Sequence, residues 1–575
     1  MRMRTRASVL AVVMIAAVSS ILFFTYATPL PAQEKRDDAE AASDPVLRAL
    51  QAELARSKAH LKIDNVGAPF YIEYRVFDVE QFEATAAFGA LRGQNRTRLR
   101  LLRALVRIGD YKIDSYYGSG QGVSDILPID GDELALRHQI WLATDQAYKG
   151  AGEALSGKQS LLKQLNVEQP VDDFAQADAV QSIGPIAKLE VEPSKWTKML
   201  ESATSAYKID SQIESLGATL SFITLNEYFV NTEGTVTRQG STHYLMTLAA
   251  SEQAPDGMRL ERSPQYASNR IEEMPTPASF QSDAVKLVDQ MKKLRESQVV
   301  DEDYRGPVLF SNDAADDMFF ELIAPNILGR RPAPGRPART TGAFASSLKG
   351  RVLPNFLSVV DDPTVEKFEG QSLGGSYRVD DEGVRVVPVT VVNNGELVNF
   401  LIGRQPIRDF TVSNGHGRAA GSGTTAPAPG NLFIRAAKTS TREELKKQML
   451  DKCRDRGLKY GYFVDTLGPR LAPRVLYRVW TDDGHEEMVR GAIFNELDTR
   501  ALRSDLIAAG NDPLVSNRAG IPFSSIVSPS VLFDELEVKR ADNTKEKLPD
   551  YPAPPLRDTN DRKSAAKFNE KQLQD

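Results

Sequence analysis

The sequence contains few of the residues that most often bind metals. Among its 575 residues there is one cysteine, Cys453, which excludes an intrachain disulfide and a cysteine-rich metal cluster. No two of the five histidines are close enough in sequence to form a local pair of ligands: His60, His138, His243, His416 and His485. Neighbouring residues therefore do not indicate a metal site.

A strong excess of charge of one sign is also missing. The 71 basic and 77 acidic residues give a formal net charge of −6, which argues against a general nucleic-acid binder. The sequence has neither the Gly-x-Ser-x-Gly elbow of serine hydrolases nor a Walker-type phosphate loop. We expect no nucleic-acid partner.

The length and composition indicate a globular protein of several domains. A chain of 575 residues is too long to form a single hydrophobic core, and its 41% of hydrophobic residues is typical of globular proteins. The alternation of strand-like and helix-like segments predicts an α+β fold. We place an N-terminal domain with an antiparallel sheet and helices at residues 45–300, and a β-rich C-terminal domain at residues 301–543.

The first 32 residues have the pattern of a signal peptide. Arg2, Arg4 and Arg6 precede an apolar run over residues 9–24, and small residues follow near Ala32. This pattern predicts export to the periplasm or secretion. The alternative is an uncleaved membrane anchor, because the run approaches the roughly 18 residues that span a bilayer. A flexible linker at residues 33–44 and a disordered tail at residues 544–575 are also predicted.

Several elements of the N-terminal domain are indicated by local patterns. Residues 45–61 form an amphipathic helix with Asp44 as N-cap, and residues 69–79 form a strand. Two further strands are expected near residues 83–91 and 98–108. A hairpin turn is expected at residues 231–234. Four arginines on the third strand are predicted to lie mainly on a solvated face: Arg98, Arg100, Arg103 and Arg107.

The C-terminal domain opens with a strand at residues 308–310 and a helix placed at residues 313–330. The Pro- and Arg-rich segment 329–339 is either a mobile loop or a packed lid. Strands are predicted at residues 384–392 and 396–402 around the Asn394-Gly395 turn, followed by a surface loop at 421–430. A helix is predicted at residues 441–456.

Several short motifs in this half resemble the TldD/PmbA family. Their order and spacing extend over most of residues 45–540: Gly374-Gly375-Ser376-Tyr377, Asp380-Asp381-Glu382-Gly383, Asn414-Gly415-His416-Gly417-Arg418, Pro429-Gly430-Asn431-Leu432 and Gly510-Asn511-Asp512. The resemblance implies a two-domain α+β protein that pairs with a like or related subunit and degrades small or unfolded peptides. In the TldD type, a His-Glu-x-x-x-His helix and a late cysteine hold zinc, and the glutamate activates water. PmbA-type partners lack that site.

The positions that correspond to the zinc ligands carry other residues in this sequence. The two histidines fall on Phe320 and Pro325, and the late cysteine falls on Ser516. A benzyl ring and a pyrrolidine offer zinc no lone pair, so only Glu321 remains, as a vestigial catalytic residue. The zinc of the family is therefore not supported, and we expect a PmbA-like, non-catalytic subunit that binds peptides or supports a proteolytic partner.

Other chemical groups provide weaker candidates. His485-Glu486 lacks a second histidine at the zincin spacing, where Val489 stands, and follows a predicted turn. The cysteine thiol, between Lys452 and Arg454, is either somewhat acidified or purely structural.

The loop around Gly415 is the candidate substrate-binding segment. Its residues are Asn414, Gly415, His416 and Arg418, where glycine permits close approach of a ligand and arginine suits the carboxylate of a peptide C-terminus. The alternatives are a tight turn and a histidine on a surface loop.

Three functions remain open from the sequence. The first is the non-catalytic subunit, as a homodimer or as a heterodimer with a TldD-like subunit. The second is an active metallopeptidase with a non-standard metal site. The third is a cell-envelope binding or scaffold module, with a membrane contact only if the N-terminal segment is uncleaved.

Overall fold

The structure is a computed structural model that describes residues 43–64, 66–130, 132–166, 171–336, 338–421 and 423–541. The predicted signal peptide, the linker up to residue 42 and the tail at 544–575 lie outside these residues. None of the described helices combines the length and the apolar character that crossing a membrane requires.

The described chain contains seven α-helices and two groups of strands. The helices are α1 Pro45–His60, α2 Glu133–Leu165, α3 Pro193–Thr204, α4 Pro277–Glu296, α5 Asn312–Leu322, α6 Arg442–Asp455 and α7 Thr499–Ser504. The first group of strands is β1 Tyr71–Ala87, β2 Ala90–Arg107, β3 Val123–Ile126, β4 Gln181–Ile183, β5 Ser215–Asn231, β6 Val236–Gln253, β7 Arg259–Arg262 and β8 Gln265–Ser268.

The second group begins with two strands before α5 and continues after it. These strands are β9 Gln298–Val299, β10 Tyr304–Phe310, β11 Leu357–Asp361, β12 Lys367–Phe368, β13 Gln371–Ser372, β14 Val389–Asn393, β15 Glu396–Leu397, β16 Gly417–Ala419, β17 Thr425–Pro427, β18 Asn431–Ala436, β19 Tyr460–Leu467, β20 Pro473–Trp480, β21 Glu486–Arg490, β22 Ala492–Phe494, β23 Leu506–Ala509, β24 Leu514–Arg518, β25 Ser524–Ser528 and β26 Val531–Arg540.

The N-terminal sheet is built from two long hairpins. Its strand order is β3-β2-β1-β5-β6-β4, with β7 and β8 also paired to β6. The predicted hairpin turn between β5 and β6 is confirmed. The prediction of separate strands near residues 83–91 and 98–108 is wrong, because β1 runs on to Ala87 and turns at Phe88 and Gly89, which have positive φ angles of 52° and 76°.

One face of the N-terminal sheet is covered by helices and the other is turned toward the C-terminal domain. Alternate residues such as Tyr74 and Phe222 pack with α1 to α4 in two cores. The residues between them, such as Arg75 and Glu227, lie on the opposite face. Side chains of this second face therefore reach the boundary between the two halves of the protein.

The C-terminal domain contains two main sheets around one core. The larger has the order β22-β26-β10-β19-β20-β21-β9, and the smaller has the order β15-β14-β11-β18-β25-β24. Residues of both sheets and of α5 form the largest hydrophobic cluster of the protein. The predicted α+β class, with an N-terminal antiparallel sheet and a β-rich C-terminal domain, is confirmed.

Helix α5 is shorter than the helix predicted at residues 313–330. The hydroxyl of Ser311 caps its first turn by accepting a hydrogen bond from the Ala314 amide. The helix ends at Leu322, whose carbonyl accepts a hydrogen bond from the Asn326 side chain. Pro325 lies beyond it in a 3₁₀ turn, because proline has no amide to continue the helix.

The ends of several other elements in the C-terminal domain differ from the predicted ones. The strand expected at 384–392 begins only at Val389, and the loop 421–430 contains the short strand β17, paired with β16. In the segment 329–339, Arg331 donates hydrogen bonds to the carbonyls of Val171 and Asp172, whereas residues 333–336 are exposed. Helix α6 follows the prediction, with Thr441 and Glu444 forming a capping box.

Candidate functional site

The corner between α5 and β24 is where the sequence places the degenerate metal site. Helix α5 packs against β24 and β25. The guanidinium carbon of Arg518, on β24, lies 5.0 Å from the centre of the Phe320 ring. Its Nη1 atom lies 2.6 Å from Oδ1 of Asp317. A fixed cation thus stands in contact with the residue that replaces the first histidine.

The predicted residues of this corner are only partly brought together. Ser516 lines a cavity of about 860 Å³ with Asp313, Asp317 and Arg518, whereas Phe320, Glu321 and Pro325 do not line it. Glu321 and Pro325 are exposed and Phe320 is half-buried. The chain therefore keeps the arrangement of α5 beside β24 without a cluster around the glutamate.

The donor set at this corner does not fit the zinc of the family. Zinc requires about three nitrogen, sulfur or carboxylate ligands around one point. Within the described residues, the one group of three such donors within 4.8 Å of one another is Asp482, Asp483 and His485, which are all exposed. These residues lie on the hairpin between β20 and β21 and not at α5.

Helix α5 also carries a carboxyl group in an apolar setting. Asp316 is fully buried, and neither of its oxygens has a hydrogen-bond partner among the described residues. Burial raises the pKa of Asp316 well above its ordinary value. Asp313, at the start of the helix, is exposed and lines the cavity beside Asp317.

The acidic triplet Asp380-Asp381-Glu382 fixes the backbone of the glycine-rich loop. The Asp380 carboxylate accepts hydrogen bonds from the amides of Val384 and Gly417 at 2.8 and 2.9 Å. Glu382 accepts hydrogen bonds from the Arg404 amide and from the Thr425 hydroxyl. All three acidic side chains are buried, so the motif organises structure at the domain boundary.

The predicted substrate-binding loop is held from within the protein. His416 is fully buried, with Nε2 3.1 Å from Oδ1 of Asp361 and Nδ1 2.9 Å from Oδ1 of Asn414. The expectation of a histidine on a surface loop is wrong, because Asp361, distant in sequence, lies on a neighbouring strand. Gly415 has a φ of +78°, and a Cβ atom there would lie 2.5 Å from Val386 Cα, so the close approach is internal.

Arg418 is the member of this loop that reaches a cleft between the two halves of the chain. Its guanidinium carbon lies 3.9 Å from the centre of the Tyr377 ring. Its Nε atom donates a hydrogen bond of 3.2 Å to Asp381, while Nη1 has no hydrogen-bond partner among the described residues. Asn414, Gly415 and His416 do not line the cleft.

The cleft has a volume of about 830 Å³ and lies against the helix-free face of the N-terminal sheet. Glu227 of β5 lines it beside Arg418. Burial first, and then the carboxylate of Asp381, raise the pKa of Glu227 to about 8. Burial and the charge of Arg418 lower the pKa of His243 to about 3, so this imidazole is neutral at pH 7.

Buried arginines join the two halves around this cleft. Arg404 is fully buried, with its guanidinium donating hydrogen bonds to the Ala175 carbonyl, to Glu233 and to the Tyr71 hydroxyl. Arg75 is also fully buried and donates to the carbonyls of Gly423 and Asp381. The boundary is thus bridged by charge-assisted hydrogen bonds.

The expected solvated face of β2 is largely buried. Arg100 and Arg107 are buried in ion pairs with Asp78 and Asp114, whereas the Arg98 side chain remains 48% exposed. Register places Arg100 directly opposite Asp78 on β1. The prediction failed because these acidic partners come from other segments.

Cys453 and His485, the two weaker candidates from the sequence, lie in different surroundings, one buried and one exposed. Cys453 lies on the buried face of α6. Burial raises the pKa of its thiol to about 11, which argues against the acidified thiol that Lys452 and Arg454 suggested. His485 lies on an exposed hairpin, as predicted, with Nδ1 2.5 Å from Oδ1 of Asp483. Neither lies near Arg418 in the cleft lining.

Sequence reasoning missed the residues of the N-terminal half that line the cleft. Leu225, Glu227 and His243 come from β5 and β6 and face the same side of the sheet. The ring of His243 stacks on Phe523 with 3.3 Å between centres. The alternation of residues along β5 and β6 shows which side chains share a face of the sheet. The sequence alone does not show which of the two faces the helices cover.

Comparison with known proteins agrees with this architecture. The family model described as the PmbA/TldA metallopeptidase C-terminal domain matches residues 303–540. A metalloprotease of Archaeoglobus fulgidus is 30% identical over 137 residues, which cover 23% of this chain and 29% of that protein. A metalloprotease of Methanocaldococcus jannaschii is 32% identical over 104 residues, covering 18% and 22%. Less than a third of either relative's length is therefore matched.

Solved structures share the fold over most of the chain. TldE from Thermococcus kodakarensis aligns with a TM-score of 0.57 and 15% identity, covering 85% of this chain and 99% of that one. A Thermotoga maritima protein, described as a modulator of a DNA gyrase, aligns with a TM-score of 0.57 and 16% identity, covering 82% and 96%. Residues 303–540 are thus similar to the PmbA/TldA metallopeptidase C-terminal domain, and most of the chain has the fold that these solved structures share.

Proposed function

We propose that this chain is a non-catalytic subunit of the TldD/PmbA family that binds peptides in the cleft and supports a proteolytic partner. Its body acts outside the cytoplasm after export through the N-terminal segment. The proteolytic partner is a TldD-like subunit with an intact zinc site, and a homodimer of this chain would bind peptides without cleaving them. Each part of this proposal has separate support.

The observation that carries the non-catalytic assignment is the contact of Arg518 with Phe320 and Asp317. The guanidinium lies 5.0 Å from the Phe320 ring centre and its Nη1 2.6 Å from the Asp317 carboxylate. A fixed positive charge disfavours a divalent cation at the same corner, and the aromatic ring offers no ligand. Without a metal, Glu321 has no bound water to activate.

An unpaired edge of the N-terminal sheet supports peptide binding. Strand β4 pairs with β6 through residues Val236 to Arg238, and β8 pairs with it through Tyr244 to Thr247. Residues 239–243 of β6 lie between them and line the cleft, and no described strand pairs with them on that side. An extended peptide that adds to this edge would gain main-chain hydrogen bonds there.

The two alternative functions have less support. An active peptidase would need a metal, and the three-donor group at Asp482, Asp483 and His485 is an exposed turn remote from the cleft lining. A scaffold module would need no cleft. Export is tested by fractionating cells that produce the full chain, where recovery in the cytoplasm alone contradicts it.

The catalytic part is tested by incubating the purified chain with an unfolded polypeptide and zinc, and following the products by mass spectrometry. We expect bound peptide without cleavage, and no change in Glu321→Gln. The control, Glu396→Gln, alters an exposed carboxylate elsewhere. Cleavage that disappears in Glu321→Gln and persists in Glu396→Gln would contradict the proposal.

The partner part is tested by co-producing the chain with a TldD-like protein that has the His-Glu-x-x-x-His motif. Size-exclusion chromatography with light scattering should show a complex containing both chains. The cleavage rate of the partner should rise when this chain is present. Two proteins that elute separately, with an unchanged rate, would exclude that partner.

A further inference from the structure

An apolar compartment adjoins the cleft. It has a volume of about 260 Å³ and is lined mainly by apolar residues of β5, β6, β8 and the segment between β24 and β25: Ile223, Leu245, Ala267, Ile521 and Phe523. Its size and lining suit one apolar side chain of a ligand.

The compartment and the cleft share one wall. His243, Gly374, Ile521 and Phe523 line both. Ile521 is 42% exposed, which is a large value for an isoleucine at the border of two cavities. A ligand side chain in the compartment would cover Ile521 and leave its backbone in the cleft.

Arg418 provides the polar part on the cleft side. Its side chain is 14% exposed, and Tyr377 and Asp381 fix its guanidinium from within the protein. One of its nitrogens, Nη1, is itself buried and has no hydrogen-bond partner among the described residues, so a carboxylate would approach the exposed remainder of the side chain. The exposed Arg385 lines the same cleft. A planar guanidinium held in this way favours a carboxylate ligand.

We propose that the compartment and Arg418 together recognise the C-terminal residue of a peptide: its apolar side chain occupies the compartment, and its terminal carboxylate pairs with Arg418. This inference rests on the proposed peptide binding and narrows it to peptides with a free, apolar C-terminus. Internal apolar residues lack that carboxylate and bind less tightly.

The experiment compares three fluorescent peptides of one sequence by anisotropy with the full chain. One ends in leucine with a free carboxylate, one ends in leucine amide, and one ends in aspartate. We expect the first peptide to bind at least about tenfold more tightly than either of the others. A ratio of this size corresponds to the free energy of one charge-assisted hydrogen bond or of one buried apolar side chain. This comparison needs no variant.

Variants then locate the contact. Arg418→Gln should reduce the affinity for the free carboxylate about tenfold and leave the affinity for the amide within about twofold. The matched control Arg305→Gln removes an exposed guanidinium outside the cleft and should change neither. Ile223→Ser should weaken both leucine peptides alike, because both place the side chain in the compartment.

The outcomes separate this inference from the proposed function. Equal affinity for the free and amidated leucine peptides would overturn recognition of the C-terminus while peptide binding stands. Equal affinity for leucine and aspartate ends would overturn the role of the compartment. If no peptide binds, both the inference and the proposed peptide binding fail.

Discussion

Two groups of buried polar side chains differ in their hydrogen bonding, although Arg75 Nε and Arg418 Nη1 at the boundary also lack a hydrogen-bond partner among the described residues. At the boundary between the halves, the guanidinium of Arg404 donates to three partners, and the Asp380 carboxylate accepts from the backbone on both oxygens. At the corner of α5 and β24, Asp316 has no hydrogen-bond partner, and two nitrogens of Arg518 have none, among the described residues.

Buried polar groups whose hydrogen bonds are satisfied stabilise one arrangement of the two halves, whereas unpaired buried groups cost free energy. Such unpaired groups mark places where a local sequence is not optimised for stability alone. Arg404 and Asp380 therefore stabilise the boundary, whereas Asp316 lowers the stability of the corner.

The largest expected effect is the loss of the boundary network. Arg404→Met should destabilise the protein by about 3–5 kcal/mol, because the Ala175 carbonyl would lose its side-chain donors and Glu233 would keep only the Tyr111 hydroxyl as a donor among the described residues. The control Arg305→Met, which removes a largely exposed pair, should cost less than about 1 kcal/mol. Chemical denaturation measures both, and similar costs for the two variants would contradict the comparison.

A smaller effect of opposite sign is expected at the corner. The pKa of Asp316 is raised in the folded state, so its contribution to stability is full at a pH below the unfolded pKa and is lost as pH rises. Asp316→Asn cannot ionise in either state. At pH 7 it should be more stable than the wild type by about 1–3 kcal/mol, and this advantage should vanish near pH 3.5. An equal advantage at both values would refute the ionisation argument.

Glu227 gives a pH dependence at the cleft itself. Its folded pKa of about 8 lies above the unfolded value, so its stabilising contribution is lost as pH rises from 4.5 through 8. In Glu227→Gln, the decrease in the free energy of unfolding over that pH range should be smaller than in the wild type by about 1 kcal/mol or more. Thermal unfolding at several pH values between 5 and 9 measures this, and parallel curves for the two proteins would show that Glu227 titrates normally.

The smallest effect is expected for the ion pair of the corner. Asp317 and Arg518 are 35% and 25% exposed, so solvent screens their attraction. Asp317→Asn should cost less than about 1 kcal/mol. A loss of several kcal/mol in denaturant unfolding would mean that the corner is as tightly coupled as the domain boundary.

Local patterns in the sequence predicted many elements of the fold. Asp44 caps α1, the turn after Asn231 joins β5 and β6, and Thr441 with Glu444 caps α6, each through contacts between near neighbours. Patterns of this kind depend on only a few residues. They are therefore visible without knowledge of the tertiary structure.

The candidate site was less predictable because its contacts are distant in sequence. His416 meets Asp361 and Arg404 meets Ala175, which are 55 and 229 residues away. The sequence indicated Arg418 as a candidate residue of the glycine-rich loop. It did not indicate that Arg418 lines a cleft together with residues of β5 and β6. The end of α5 at Leu322 was also missed, because the family pattern outweighed the local effect of Pro325.

Zinc binding measured by equilibrium dialysis, with Asp483→Ala to remove the exposed three-donor group, tests the central claim most directly. For a chain whose zinc ligands are replaced, we expect less than about 0.1 tightly held zinc per chain in Asp483→Ala. About one tightly held zinc per chain that persists in Asp483→Ala would contradict the claim.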